Sequence, residues 1–163
     1  MSVFCIQSRV YYEDTDAGGI VYHANYLKFM ERARTEWVRS LGLHQNNLLE
    51  QSIGFVVIDM SIGFKLSAKL DDLLLVTCKV KQLKRASIVF EQSVSKIATS
   101  ALVSAQDLKS EHEKHEKHEK HQKHQNNNQT LVVAEVKVAC VNIQTQKPMA
   151  IPPNFLREMR SDV

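Results

Sequence analysis

No apolar run in this 163-residue chain approaches the length that spans a bilayer. The opening stretch MSVFCIQSR has neither a basic leader nor a long apolar segment. No secretory signal is therefore expected, and a cytoplasmic location is predicted. Cysteine is scarce: Cys5, Cys78 and Cys140 are an odd number at no metal-like spacing. Each falls in a strand-like stretch, which predicts reduced thiols acting as small buried hydrophobes. Charge of one sign is also lacking. Lys and Arg number 21 against 18 Asp and Glu, a net charge of +3. That excess is too small to argue for nucleic acid, and no basic strip is interleaved with aromatics. No Gly-rich dinucleotide fingerprint, Walker pattern or redox-cofactor motif occurs, so no cofactor is expected. With 44% hydrophobic and 24% charged residues, the composition is that of an ordinary globular protein. Residues 1–163 are expected to form one domain with a sizeable core.

The hydrophobic pattern divides the chain into one long helix and five strands. Val3 to Tyr12 reads as a first strand. Tyr26, Phe29, Met30, Ala33, Trp37, Val38 and Leu41 recur at helical spacing, with Lys28, Glu31, Arg32, Glu36 and Arg39 mostly on the other side. This helix is expected to start between His23 and Asn25 and to stop at Gly42. Gln45-Asn46-Asn47 reads as a break, with His44 beside it on the surface. Further strands are expected over Gly54–Phe64, Leu73–Leu83, Ser87–Ile97 and Leu131–Ile143. Lys69-Leu70-Asp71-Asp72 and Lys84-Arg85-Ala86 read as turns. Asn154 to Arg160 reads as a short terminal helix. A long helix with five antiparallel strands predicts an α+β layer structure, the helix lying on one face of the sheet.

One stretch carries most of the chemistry. In Tyr12 to Arg34, Asp14-Thr15-Asp16 places two carboxylates one residue apart, and Gly18-Gly19 then lets the backbone turn where a Cβ would resist. The long helix follows at once. A helix N-terminus offers N–H donors without intrahelical partners and the positive end of the dipole. A carboxylate just upstream reads as a base or nucleophile beside an oxyanion site. On spacing alone the structural reading is favoured, in which such an Asp only caps the helix.

The run D-T-D-A-G-G-I-V-Y-H-A-N-Y-L-K-F-M-E-R-A-R resembles the signature of the 4-hydroxybenzoyl-CoA thioesterase family, in particular its YbgC-type, Tol-Pal-associated acyl-CoA thioesterase branch. The likeness continues more loosely through F-V-V-I-D, A-K-L-D-D-L-L-L-V, I-V-F-E-Q and V-K-V-A-C-V. The resemblance implies a hotdog fold, the five-stranded sheet wrapped around the central helix. It also implies a homo-oligomer, a dimer of dimers, with active sites at subunit interfaces. The implied activity is hydrolysis of acyl-CoA. Asp16, the second Asp of the pair, maps to the catalytic carboxylate. The backbone N–H of His23, or next to it that of Ala24, maps to the oxyanion donor. The His23 imidazole is either a proton carrier, a group that orients Asp16, or a bystander. Gly19, Tyr22, Ala24 and Asn25 are expected around the substrate, with Asn25 tying loop to helix and Tyr26 packing beneath. Of the cations that could meet the phosphates of CoA, namely Lys65, Lys69, Lys81, Lys84 and Arg85, the pair Lys84-Arg85 is the first choice.

A thiolate is a good leaving group, so such an enzyme chiefly has to activate an oxygen nucleophile and stabilise an oxyanion. Three other readings compete. One is a non-catalytic module that binds acyl groups or acyl carrier protein in support of the envelope. Acyl carrier protein or enzymes of phospholipid synthesis are partners that the resemblance also suggests for the enzyme. A second is a dehydratase on the same fold, whose His and helix-carboxylate motif is not present. The third, a metal-handling protein, rests on Ser110 to Asn128 alone. There His112, His115, His118, His121 and His124 recur every third residue between Glu and Lys. A helical conformation would bring neighbouring imidazoles together at metal-binding distance. The composition itself predicts a solvated insertion between two strands, outside the family pattern.

Overall fold

The computed structural model describes residues 3–43, 45–98 and 128–161. His44 and residues 110–127 of the His-rich tract lie outside them. Five strands form one sheet: β1 (Phe4–Arg9), β2 (Ile53–Phe64), β3 (Leu73–Leu83), β4 (Ser87–Lys96) and β5 (Gln129–Asn142). Their spatial order is β1-β3-β4-β5-β2, and every neighbouring pair is antiparallel. The edges are therefore β1 and β2. The architecture is the α+β hotdog arrangement.

The long helix α1 (Asn25–Ser40) lies on the sheet and packs on β3, β1 and β4. Its buried residues Tyr26, Phe29, Met30, Ala33 and Trp37 follow the helical period. Burying Phe29 and Met30 stabilises the fold by roughly 1.5–3 kcal/mol each. From the sheet, Leu74, Val76, Cys78 and Val80 alternate along β3 to meet this face. Trp37 meets Phe90 of β4 edge-on, with ring centroids 5.3 Å apart. The helix ends as its sequence predicts. Gly42 has a φ of +75°, its N–H bonds the Arg39 carbonyl, and the Leu43 N–H reaches back to Val38. This paired closure satisfies carbonyls that the last turn leaves free.

Three expectations need correction. The first strand stops at Arg9 rather than Tyr12, because Tyr12–Asp14 form a 3-10 turn. Gln45–Glu50 is not a break but a short helix, α2. Leu48, which is buried, anchors it against the core and outweighs the poor helix propensity of Asn46 and Asn47. Cys5 is exposed, since it points away from the helix on an edge strand, whereas Cys78 and Cys140 are buried. The terminal helix α3 (Pro153–Ser161) has Pro153 in its first turn, where a missing N–H costs nothing, and buries Phe155 and Met159. Among the described residues, no helix is long and apolar enough to cross a membrane.

Candidate active site

The two carboxylates of the Asp14-Thr15-Asp16 stretch have different surroundings. Asp14 is buried. Its Oδ2 accepts the Tyr11 N–H at 2.9 Å, and its own N–H donates to the Tyr11 carbonyl at 3.0 Å. Its carbonyl accepts the Tyr22 N–H at 2.9 Å and the Asn25 Nδ2 at 3.0 Å. Asp14 thus ties the 3-10 turn to the start of α1. Asp16 is exposed. Its main chain closes a tight turn: the Asp16 N–H donates to Ile20, and the Gly19 N–H donates to Asp16, each at 3.0 Å. Gly19 adopts a φ of +73°, which L side chains rarely tolerate. The Gly18 N–H donates to Asp16 Oδ1 at 2.8 Å and orients the carboxylate. Oδ2 of Asp16 has no partner among the described residues and faces solvent.

Asn25 is buried at the first residue of α1. Its Nδ2 also reaches the Glu13 carbonyl, at 3.3 Å. Just before it, the N–H groups of His23 and Ala24 have no acceptor among the described residues. These are the donors that a helix start leaves unused. The exposed His23 ring stands 4.4 Å from Tyr22 and 6.2 Å from Phe64, centroid to centroid. Tyr22 is itself exposed.

A segment from the far end of β2 closes the other side. Phe64 packs edge-on against Tyr26 as well as His23. The buried Ala68 is clamped twice, its N–H donating to the Tyr26 hydroxyl and its carbonyl accepting the Val21 N–H, both at 2.9 Å. Burial pushes the Tyr26 phenol above its usual range, so it remains a neutral acceptor for that N–H. Lys69 then bridges to Ile20 in the signature turn. No pattern in the sequence marks this closure, because it joins positions more than forty residues apart.

Asp16, Gly19, Tyr22, His23, Ala24 and Asn25 therefore gather at one end of the sheet. Lys84 and Arg85 do not join them. β3 begins beside Asp72, whose carbonyl accepts the Val10 N–H, and runs eleven residues to the hairpin carrying these cations. At about 3.3 Å per residue the separation along the strand is roughly 35 Å. Lys65 and Lys69 lie at the signature end, whereas Lys81 pairs with Glu135. The buried cysteines offer no competing nucleophile. Burial pushes the Cys78 thiol up to about 12, against the pull of the nearby Arg34, and raises Cys140 as well.

Residues 18–99 match the family described as the thioesterase superfamily. The chain is 43% identical over 150 residues to the acyl-CoA thioesterase YbgC of Haemophilus influenzae, covering 91% of this chain and 88% of that one. A probable thioesterase from Bartonella henselae superposes with a TM-score of 0.67 at 29% identity, covering 93% of this chain and 100% of that one. A mutant 4-hydroxybenzoyl CoA thioesterase, complexed with 4-hydroxybenzoyl CoA, shares the fold with a TM-score of 0.73. There the identity is 19%, over 96% of this chain and 97% of that one.

Proposed function

The chain belongs to the thioesterase superfamily and is a thioester hydrolase, and we propose that its substrate is an acyl-CoA, cleaved to a carboxylic acid and CoA with Asp16 as the reacting carboxylate. The observation that carries this reading is the placing of Asp16. Its Oδ1 is held by the Gly18 N–H, its Oδ2 is open, and two unpaired N–H groups, of His23 and Ala24, follow at the head of α1.

With the thioester carbonyl oxygen at those two N–H groups, negative charge developing there meets donors already in position. As a nucleophile, Asp16 Oδ2 adds to the carbonyl carbon, the C–S bond breaks, and CoA leaves as a thiolate. Water then hydrolyses the mixed anhydride, which releases the acid and restores the carboxylate. As a general base, Asp16 instead takes a proton from water as its oxygen adds, and returns that proton to the departing sulfur. Gly19 keeps the turn open, Asn25 fixes the turn to the helix, and the Tyr22 ring borders the approach.

The same reading includes a homo-oligomer. Edge strand β2 leaves Val56, Val57 and Ile58 exposed, with a register shift between Val57 and Asp59. A second copy pairing along this edge covers them, and two such dimers form the tetramer. Lys84 and Arg85 contact the CoA phosphates only if a neighbouring protomer presents them. A cytoplasmic enzyme of this kind draws acyl groups from CoA or from acyl carrier protein, in company with enzymes of phospholipid synthesis. Release of free thiol from short, long and aromatic acyl-CoAs tests the proposal. Turnover that Asp16→Asn removes supports it, and binding without turnover by the unaltered protein contradicts it.

A further inference from the structure

One face of α1, continued backwards by His23 just before the helix, leads away from the site. His23, Leu27, Glu31, Arg34 and Val38 follow one another at intervals of four, four, three and four residues. Leu27 and Glu31 are exposed, and the stripe ends in a cavity of about 370 Å³ between α1, α2 and the sheet. The polar residues of this cavity are Glu31, Arg34 and Thr35. Its walls are otherwise apolar, with Val38, Phe55 and Phe90 among them. From the head of α1 to Arg34 the distance is roughly 15 Å at the helical rise, the span of a medium-length acyl chain.

Arg34 is unusual in this setting. It is half-buried, and its Nη1 donates to Gln92 Oε1 at 2.7 Å. Gln92 is itself fully buried on β4 and donates through Nε2 to the Met30 carbonyl at 3.0 Å. The amide is thereby fixed with its oxygen toward the guanidinium. No carboxylate lies within ion-pair distance of Arg34 among the described residues. Glu31 is one turn away, but its Oε1 accepts the Thr35 hydroxyl at 2.7 Å. Burial pushes the guanidinium below its usual range, although Glu31 and Cys78 pull it back up. The guanidinium is held by one neutral acceptor, and its remaining N–H groups are not sealed in the core but accessible at an apolar cavity, where a ligand oxygen can accept from them.

We propose that Arg34 determines specificity: its guanidinium binds an acceptor oxygen at the far end of the acyl group. The enzyme then selects acyl chains that end in a hydroxyl or carboxyl group over chains that end in a methyl group. This rests on the acyl-CoA reading above and adds the class of acyl group. Gln92 is the positioning residue that aims the guanidinium. The apolar walls hold the chain itself, and a site built around a polar end rejects a chain that leaves its donors unpaired.

The test compares acyl-CoAs of equal medium length ending in methyl, hydroxyl and carboxyl, using the full chain, Arg34→Met and Arg34→Lys. The unaltered enzyme is expected to favour at least one oxygen-ended chain by on the order of tenfold in kcat/KM. Arg34→Met should remove that preference, chiefly through KM, and Arg34→Lys should restore part of it. Each ratio is taken within one protein, so a partly misfolded preparation lowers all three substrates together and leaves the ratio intact. Turnover of the methyl-ended chain with no preference for either oxygen-ended chain overturns the proposal and leaves the acyl-CoA reading standing. A preference that survives in Arg34→Met also overturns it. Failure to hydrolyse any of the three, while short, long or aromatic acyl-CoAs are turned over, overturns this proposal alone, and failure on all of them overturns both.

Discussion

The side-chain amide of Asn25 bonds to the carbonyl of Asp14 at 3.0 Å across eleven residues of chain, in a buried position. It joins the first residue of α1 to the turn that precedes the Asp16 loop. The geometry of Asp16 relative to the helix start therefore depends on a residue that touches neither reacting group. Asn25→Ala removes this bond and the longer one to Glu13. It is expected to cost about 1–2 kcal/mol of stability, from lost hydrogen bonds and a small void. The midpoint of denaturant unfolding reads that loss. kcat should fall more than KM rises, because alignment rather than substrate binding is damaged.

Tyr26→Phe tests the opposite wall. The Ala68 N–H would lose its buried acceptor while the ring contacts with Phe29 and Phe64 remained. A destabilisation of about 1–3 kcal/mol is expected for a buried donor left unpaired. Hydrogen exchange should localise the loosening to the segment around Ala68. Unchanged protection at Ala68 and Lys69 would contradict the clamp.

The long elements were legible in the sequence, because period and termination agreed. Tyr26 to Trp37 carries the helical spacing, Gly42 supplies the left-handed stop, and β3 to β5 alternate or run apolar as buried strands do. The short helix α2 was not legible. Its stability comes from the burial of Leu48 rather than from local preference. Within the D-T-D motif the pattern alone left the roles of Asp14 and Asp16 open, and only the resemblance chose between them. Their surroundings differ because the Tyr11 N–H and the Asn25 amide converge on Asp14, while Gly18 orients Asp16 from outside. The Tyr26–Ala68 clamp and the Arg34–Gln92 pair are long-range, and no local spacing announces them. The separation of Lys84-Arg85 from the loop is likewise a property of strand direction and topology rather than of composition.

His23 separates main-chain from side-chain chemistry. Its ring rests against Tyr22 and Phe64, while its N–H is one of the two free donors. His23→Ala keeps that donor. Turnover should fall only several-fold, and the profile of kcat/KM against pH should keep its shape. A drop of about a hundredfold or more, the weight of a positioned acid or base, together with loss of one limb of the profile, would assign proton transfer to the imidazole.

Edge strand β2 tests the assembly. Ile58 is 53% exposed and sits at the register shift against β5. Ile58→Asp should leave the protomer folded, since no core contact is lost, but place a charge where a second copy pairs. Analytical ultracentrifugation should show the oligomer replaced by monomer, with activity falling alongside. An unchanged oligomer would place the interface elsewhere.

The central claim is that Asp16 performs the chemistry while Asp14 holds the loop, and paired substitutions test it most directly. kcat/KM for acyl-CoA hydrolysis is measured for Asp16→Asn and Asp14→Asn beside the unaltered enzyme, with thermal unfolding of each. Asp16→Asn is expected to lose at least about a hundredfold in rate, or about 2.7 kcal/mol of transition-state stabilisation, with its unfolding temperature unchanged. Asp14→Asn should lose less activity and unfold at a lower temperature, because its carboxylate is buried and hydrogen-bonded. Near-normal turnover by Asp16→Asn, with a stable and inactive Asp14→Asn, would contradict the account.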